Sequence, residues 1–231
     1  MSGIGVLIIL LFVSSIPAIA VFMWFRFGRY PFSLPQFFVS LLAGTVSFFP
    51  ALLLQNFLAA RDGIFFAMGK WGLIAEIFIR IAFTEEFSRL LLLIILVFIF
   101  QRFGSSRQPE TGTTLSVDTM AGAAGLITGL GFAILESAVY GASNPGNALL
   151  RTFTAAPLHG ACGFRVGSSA AMFRETPVQA MFRFLTAVVI HGIYNFMLLI
   201  PGIIPSIAAI LIALSALATS IVSIRSGMKG A

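Results

Sequence analysis

Two glutamates and an arginine interrupt the apolar run "IAFTEEFSRLLLLII", residues 81–95, at Glu85, Glu86 and Arg89. On a helix Glu85 and Arg89 are i,i+4 neighbours and Glu86 and Arg89 are i,i+3, so one guanidinium can reach both carboxylates. The two glutamates lie about 100° apart around the axis and can face one cavity edge. A single Glu–Arg pair would suffice to fix helix packing. A second carboxylate beside it can supply an acid and a base at one pH, which points to catalysis. Three further clusters share this character. "GFAILESAVYG", residues 131–141, sets Glu136 and Tyr140 at i,i+4, where the phenol can hydrogen-bond the carboxylate. The chain's two histidines, His159 in "APLHGACGF" and His191 in "VVIHGIYNF", sit deep in apolar stretches. Asn195 lies one turn beyond His191, so the two can act together on a ligand, a metal or an oxyanion. Carboxylates and imidazoles gathered in a partly hydrated cavity suit either activation of water, with or without a metal, or the movement of protons and cations.

Membrane helices are the elements that must carry these residues. The 231-residue chain is 58% hydrophobic and 10% charged, with a mean hydropathy of +1.02. Soluble domains carry roughly 25% charged residues, so this surface faces lipid. An ionisable group at a helix centre costs about 2.5–3.5 kcal/mol on insertion scales, and such groups mark functional sites by default. Apolar spans of about 20 residues predict helices over 3–25, 33–60, 71–101, 119–141, 147–172, 178–200 and 203–224. Trp71 reads as an interfacial anchor, which puts Glu85 about 21 Å further along its helix, near mid-bilayer. The "PAIA" stretch resembles a signal-peptide cleavage site, but the preceding residues carry no positive charge and the apolar run continues through Val21–Phe25. A retained first helix is expected.

The positive-inside rule tests the count. With the N-terminus outside and the C-terminus in the cytoplasm, the inner segments hold Arg26, Arg29, Arg102, Arg107, Arg174, Arg225 and Lys229. The outer ones hold Arg61, Lys70 and Arg151. The expectation is therefore an all-α polytopic bundle of about seven transmembrane helices. No linker divides it, so residues 1–231 read as a single integral membrane domain. Cys162 is the only cysteine, which excludes an intrachain disulfide and a thiolate metal cluster. Net charge is +6, but the basic residues are scattered singly, so the expected partner is the lipid bilayer and not nucleic acid. Small residues recur every four positions at Ala121, Gly125, Gly129, Ala133, Ser137 and Gly141, and again, around His159, at Ala155, Gly163, Gly167 and Ala171. That spacing lets helix backbones approach closely inside lipid. Glu76 and Arg80 read as a structural i,i+4 pair facing away from Glu85, while Arg165 and Arg183 either snorkel or line a cavity.

Taken in order, E-E-x-x-R (Glu85, Glu86, Arg89), F-A-x-x-E-x-x-x-Y (Phe132, Ala133, Glu136, Tyr140), H-x7-G (His159, Gly167) and H-x-x-x-N (His191, Asn195) resemble the motifs of the PrsW family of intramembrane proteases. That family sits in the larger group of CAAX prenyl proteases and bacteriocin-processing enzymes. The likeness covers roughly residues 71–200. The family's usual first motif has Lys at the position of Arg89, so the charge is kept.

The resemblance implies hydrolysis of a peptide bond in or beside the membrane. It also implies a single-helix membrane substrate of the anti-sigma-factor kind, cut on its extracytoplasmic side. The expected location is the cytoplasmic membrane of a bacterium or archaeon. Glu85 or Glu86 is then the general base, with Arg89 setting the pair's protonation. His159 and His191 bind a metal or the oxyanion, Asn195 orients His191 or donates to the oxyanion, and Glu136 with Tyr140 completes the polar shell. His159, His191 and Glu86 make a plausible zinc set with a position left for water. The i,i+4 histidines of H-E-x-x-H do not occur, and a metal-free glutamate-activated water is the other form of the same chemistry. A proton- or cation-coupled transporter would draw on the same carboxylates, although no internal repeat of the usual kind links the two halves. A non-catalytic membrane scaffold is a third reading.

Overall fold

The structure is a computed structural model that describes residues 3–28, 30–59, 69–103 and 114–229. Helices α1 (Gly3–Ser14) and α2 (Ile16–Phe27) form the first apolar rod. They are separated at Ser15, just ahead of Pro17 in the first turn of α2, because proline supplies no N–H to continue the ladder. α3 (Leu34–Ala59) runs through Pro50. α4 (Lys70–Ala75) passes into a π-helical segment, Glu76–Phe83, and then into α5 (Thr84–Phe103). The remaining helices are α6 (Val117–Ser143), α7 (Pro145–Met172), α8 (Pro177–Leu199) and α9 (Ile203–Ser226). A two-residue strand β1 (Thr114–Leu115) pairs antiparallel with β2 (Met228–Lys229), which holds the start of α6 and the end of α9 at one face.

Among the described residues, five helical stretches are long and apolar enough to cross a membrane: Ile4–Phe27, Leu34–Ala59, Val117–Ala142, Pro177–Leu199 and Ile203–Ser226. The chain is a multi-pass membrane protein. The expected segments 71–101 and 147–172 are also helical, but they carry Glu76, Arg80, Glu85, Glu86 and Arg89 in one and Arg151 and Arg165 in the other. Arg29, Arg61 and Arg107, counted in the charge balance, lie outside the described residues.

α6 is the middle of the bundle. Every residue from Ala121 to Ala133 is buried, and a helix apolar on all sides belongs in a core. α6 and α7 form a hairpin turned at Asn144, whose side chain accepts from the Gly146 N–H at 3.0 Å and caps α7 ahead of Pro145. The small residues do what their spacing predicts. A Cβ on Gly125 would collide with the Gly163 carbonyl, and one on Gly129 with the His159 carbonyl oxygen. On the opposite side, Gly44 of α3 lies against the Thr128 carbonyl, and the Thr128 hydroxyl donates to the Ser40 carbonyl at 3.1 Å. α5, α8 and α9 pack around α7. Large apolar side chains such as Phe12, Leu53, Phe98, Phe182 and Leu211 point outward, the inverse of a soluble protein and the pattern that lipid requires.

The close approach predicts unequal responses to one added methyl. Gly125→Ala forces α6 from α7 and should cost about 1–3 kcal/mol. At Gly160 a Cβ would only meet the Leu130 side chain at 3.4 Å, so Gly160→Ala should be neutral or slightly stabilising. Thermal unfolding in detergent measures both, and equal stability of the two variants would contradict the packing described.

Candidate active site

The π-helical segment sets up the first group. Winding i→i+5 leaves carbonyls without their usual donors where the α-helix resumes. Thr84 closes that junction, its hydroxyl lying 2.5 Å from the Arg80 carbonyl and 3.1 Å from that of Ile81. Ser88 bonds back to the Thr84 carbonyl at 2.7 Å. Glu76 and Arg80 pair with each other within the π segment, as their spacing predicts. Just past the junction, the first turns of α5 carry Glu85, Glu86 and Arg89 inward, all buried.

α6 brings Glu136, α7 brings His159 and α8 brings His191 to the same place, each buried. Gly192 lets α8 seat against the π segment, since a Cβ there would run into the Phe78 ring. The two imidazoles stand edge to face with centroids 5.0 Å apart. Arg89 lies among them with no solvent exposure. Its Nη2 donates to Glu86 Oε1 at 2.7 Å and to His159 Nδ1 at 3.2 Å, and Nη1 donates to the His159 carbonyl at 3.4 Å. The guanidinium also sits 4.7 Å from the centre of the Phe132 ring, a cation–π contact.

Each histidine has a carboxylate partner. His191 Nδ1 lies 2.8 Å from Glu86 Oε1, and His159 Nε2 lies 2.7 Å from Glu136 Oε2. A carboxylate only accepts, so in the neutral rings these nitrogens carry the hydrogens. The lone pairs are then at His191 Nε2 and His159 Nδ1, the second of which receives Arg89. Glu85 is held differently. Glu86 Oε2 is buried with no hydrogen-bond partner, and Glu85, whose Oε1 accepts from Gln55 Nε2 of α3 at 3.1 Å, leaves its own Oε2 in the same state. That oxygen stands 3.7 Å from both His191 Nε2 and Arg89 Nη2.

Glu85, His159 and His191 each offer a ligand atom within 4.8 Å of the others, a buried group that could hold a metal ion. The N/N/O donor set and the orphaned Glu85 oxygen fit such an ion. The supporting carboxylates on both rings are the usual outer partners of metal-binding histidines. The carboxylate in this group is that of Glu85, where the sequence named Glu86. Glu86 Oε1 is engaged by Arg89 and His191 instead. Three carboxylates face two guanidiniums, so the cluster keeps one negative charge in reserve for a cation or a proton.

Two members escaped the sequence. Arg151 of α7 binds Glu136 Oε2 at 2.6 Å, although its position near the helix start marked it as an outer-loop charge. Gln55 was a visible signal, an amide inside an otherwise apolar span. Two expected members sit further out. Tyr140 is 52% exposed, with the Arg151 guanidinium 4.3 Å from its ring centre. Asn195 lies partly buried one turn beyond His191.

A model of the family described as "PrsW family intramembrane metalloprotease" matches residues 33–221. The chain belongs to the PrsW family. No curated protein and no solved structure matches it. The match runs from the residue before α3 into α9, wider than the motifs alone, and it takes in Gln55 and Arg151. PrsW proteins are intramembrane metalloproteases, so the chain is a hydrolase that acts on membrane proteins in the bilayer. The fold gathers Glu85, Glu86, Arg89, Glu136, His159 and His191, all of them buried.

Arg89 is the test of how the cluster coheres. Arg89→Met leaves Glu86 buried without its cation, which should cost about 3–5 kcal/mol. Arg89→Lys keeps the charge and should cost less, losing chiefly the reach to His159. Chemical unfolding of the detergent-solubilised chain measures the difference; equal losses would mean that the charge is not what matters.

Proposed function

We propose that the chain is an intramembrane endopeptidase in which Glu85 meets the attacking water. What carries this reading is the 3.7 Å approach of Glu85 Oε2 to His191 Nε2. Two buried acceptors facing each other call for a shared donor or a cation, and a water or a metal meets that need. Glu86 acts through another group, since its hydrogen bond to His191 Nδ1 sets the tautomer that aims the lone pair. Glu136 does the same for His159, and Arg151 holds Glu136 in place.

Glu85, His159 and His191 would hold the metal, and zinc suits two imidazoles and one carboxylate. Each ring nitrogen of His159 already has a partner, so Glu85 Oε2 and His191 Nε2 are the atoms most directly at hand. When bound, the ion supplies Lewis-acid activation of water and of the scissile carbonyl. Glu85 accepts the proton of the water and passes it to the leaving amine. Arg89, whose Nη2 stands 3.7 Å from Glu85 Oε2, would donate to the oxyanion, with Asn195 one turn beyond His191 as a second donor.

Seven membrane crossings with the N-terminus outside remain the topology that the charge balance favours. His191 then lies about 21 Å from the cytoplasmic end of α8, counting from Pro177. The reacting centre is thus in the outer half of the bilayer, which suits a single-pass substrate, of the anti-sigma-factor kind, cut near its extracytoplasmic side.

Cleavage of a single-pass membrane substrate in proteoliposomes tests the roles. Glu85→Gln should lower the rate about 10²–10⁴-fold, His191→Ala comparably, and Glu86→Gln less, because it disturbs orientation and not the reacting oxygen. Metal analysis of the purified protein should find about one equivalent, reduced in Glu85→Gln and His191→Ala, with chelation abolishing cleavage and Zn²⁺ restoring it. Full activity in folded Glu85→Gln would end the assignment.

A further inference from the structure

Arg165 and Arg183 are cations within the helices that the catalytic cluster does not use. They line one cavity of about 360 Å³ between α6, α7, α8 and α9, a volume in the range of small-ligand sites. All the partners of Arg165 are neutral. Nη1 donates to the carbonyls of Ala161 and Ala216 at 2.9 and 3.3 Å and to the Ser220 hydroxyl at 3.3 Å, and Nη2 to the Thr219 hydroxyl at 2.8 Å. Arg183, partly buried, makes no hydrogen bond or ion pair among the described residues. Asp118 is the carboxylate on the cavity wall, and it pairs with neither arginine. Charges this deep in a membrane bundle are normally paired. Here two guanidiniums and one carboxylate that pairs with neither share one cavity, so among the described residues one positive charge is left unmet.

Their depth identifies the missing partner. Arg165 lies about 10 Å from the end of α7 at Met172, and Arg183 about 9 Å from the start of α8 at Pro177. α7 is about 42 Å long, the thickness of a bilayer with its headgroups. The cavity therefore meets the membrane at the boundary of headgroup and hydrocarbon. Phe182, next to Arg183, also lines it and is 73% exposed, while the hydroxyls of Thr186, Ser220 and Ser223 on its wall donate to carbonyls of their own helices and leave the guanidiniums as its charged donors. In the orientation proposed above, this face is cytoplasmic, where anionic lipid is found and where basic pockets between helices take its headgroups.

We infer that this cavity binds the phosphate group of an anionic phospholipid, gripped between Arg165 and Arg183. The guanidinium fork matches phosphate oxygens in geometry and charge. Free phosphate offers the same group without the acyl chains that Phe182 would meet. The inference is independent of the catalytic reading: about 9 Å of α7 separates Arg165 from His159.

Calorimetric titration of the detergent-solubilised full chain with short-chain phosphatidylglycerol tests it, with inorganic phosphate and short-chain phosphatidylcholine as the comparison arms. Wild-type protein should bind phosphatidylglycerol most tightly. Arg183→Gln should weaken binding roughly tenfold or more and should fold normally, because Arg183 makes no bond within the described fold. Arg183→Lys should recover part of the loss. Asp118→Asn should tighten binding by removing a repulsive charge, a gain that a purely structural role would not produce. Equal binding by wild type and Arg183→Gln would overturn the proposal. So would the absence of binding, or inorganic phosphate binding as tightly as the lipid.

Discussion

Arg89 is the constraint on which the rest of the cluster depends. A guanidinium with no solvent exposure depends on partners inside the protein, because desolvating an ion costs several kcal/mol; Nη1 and Nη2 find theirs, while Nε has none among the described residues. Its donors reach α5 through Glu86 and α7 through the ring and carbonyl of His159, and its face reaches α6 through Phe132. Three helices thus converge on one side chain. Buried ion pairs of this kind seldom stabilise a fold better than apolar residues of the same volume would. Their presence in a bundle otherwise built from Leu, Ile, Phe and Ala is explained by the chemistry they hold in place.

The second constraint is the contact between α6 and α7, and the two are linked through His159. Gly129 lets the α6 backbone touch the His159 carbonyl, and Arg89 donates to that same oxygen. A helix pair held further apart would carry Glu136 out of reach of the His159 ring, where its bond is now 2.7 Å. The small-residue spacing is therefore ordinary membrane packing put to a positional use.

Much of this was legible in the chain. The helix ranges follow from apolar length, and the four polar clusters stand out because charge inside hydrocarbon is costly. The glycine spacing on α6 and α7 also translates directly into contact. The different contacts of Glu85 and Glu86 were not legible. Spacing on one helix says that both can reach Arg89, but not which oxygen a neighbouring helix will engage. That outcome depends on how α8 seats against a π-helical segment, and the eight residues Glu76–Phe83 carry no pattern that marks i→i+5 winding. Arg151 was missed for a related reason. Loop charge and cluster charge look alike when a helix starts only a few residues earlier, and Glu136 on another helix is what makes the difference.

The hydrogen bonds around the two imidazoles also bear on how a water or an ion would be received. Glu86 and Glu136 fix the proton-bearing nitrogen of each ring, so the lone pairs are oriented before anything binds. Preorganisation of this kind lowers the reorganisation needed at the moment of reaction. The two rings are nevertheless unequal. His191 Nε2 faces the unpartnered Glu85 oxygen, whereas His159 Nδ1 already receives a hydrogen bond from Arg89. One lone pair cannot serve a guanidinium and a metal ion together. Engagement of His159 by a cation through Nδ1 must therefore release Arg89 from that nitrogen while leaving its bond to Glu86. The residual negative charge of the cluster favours that exchange, since a cation entering beside Glu85 meets three carboxylates and only two guanidiniums.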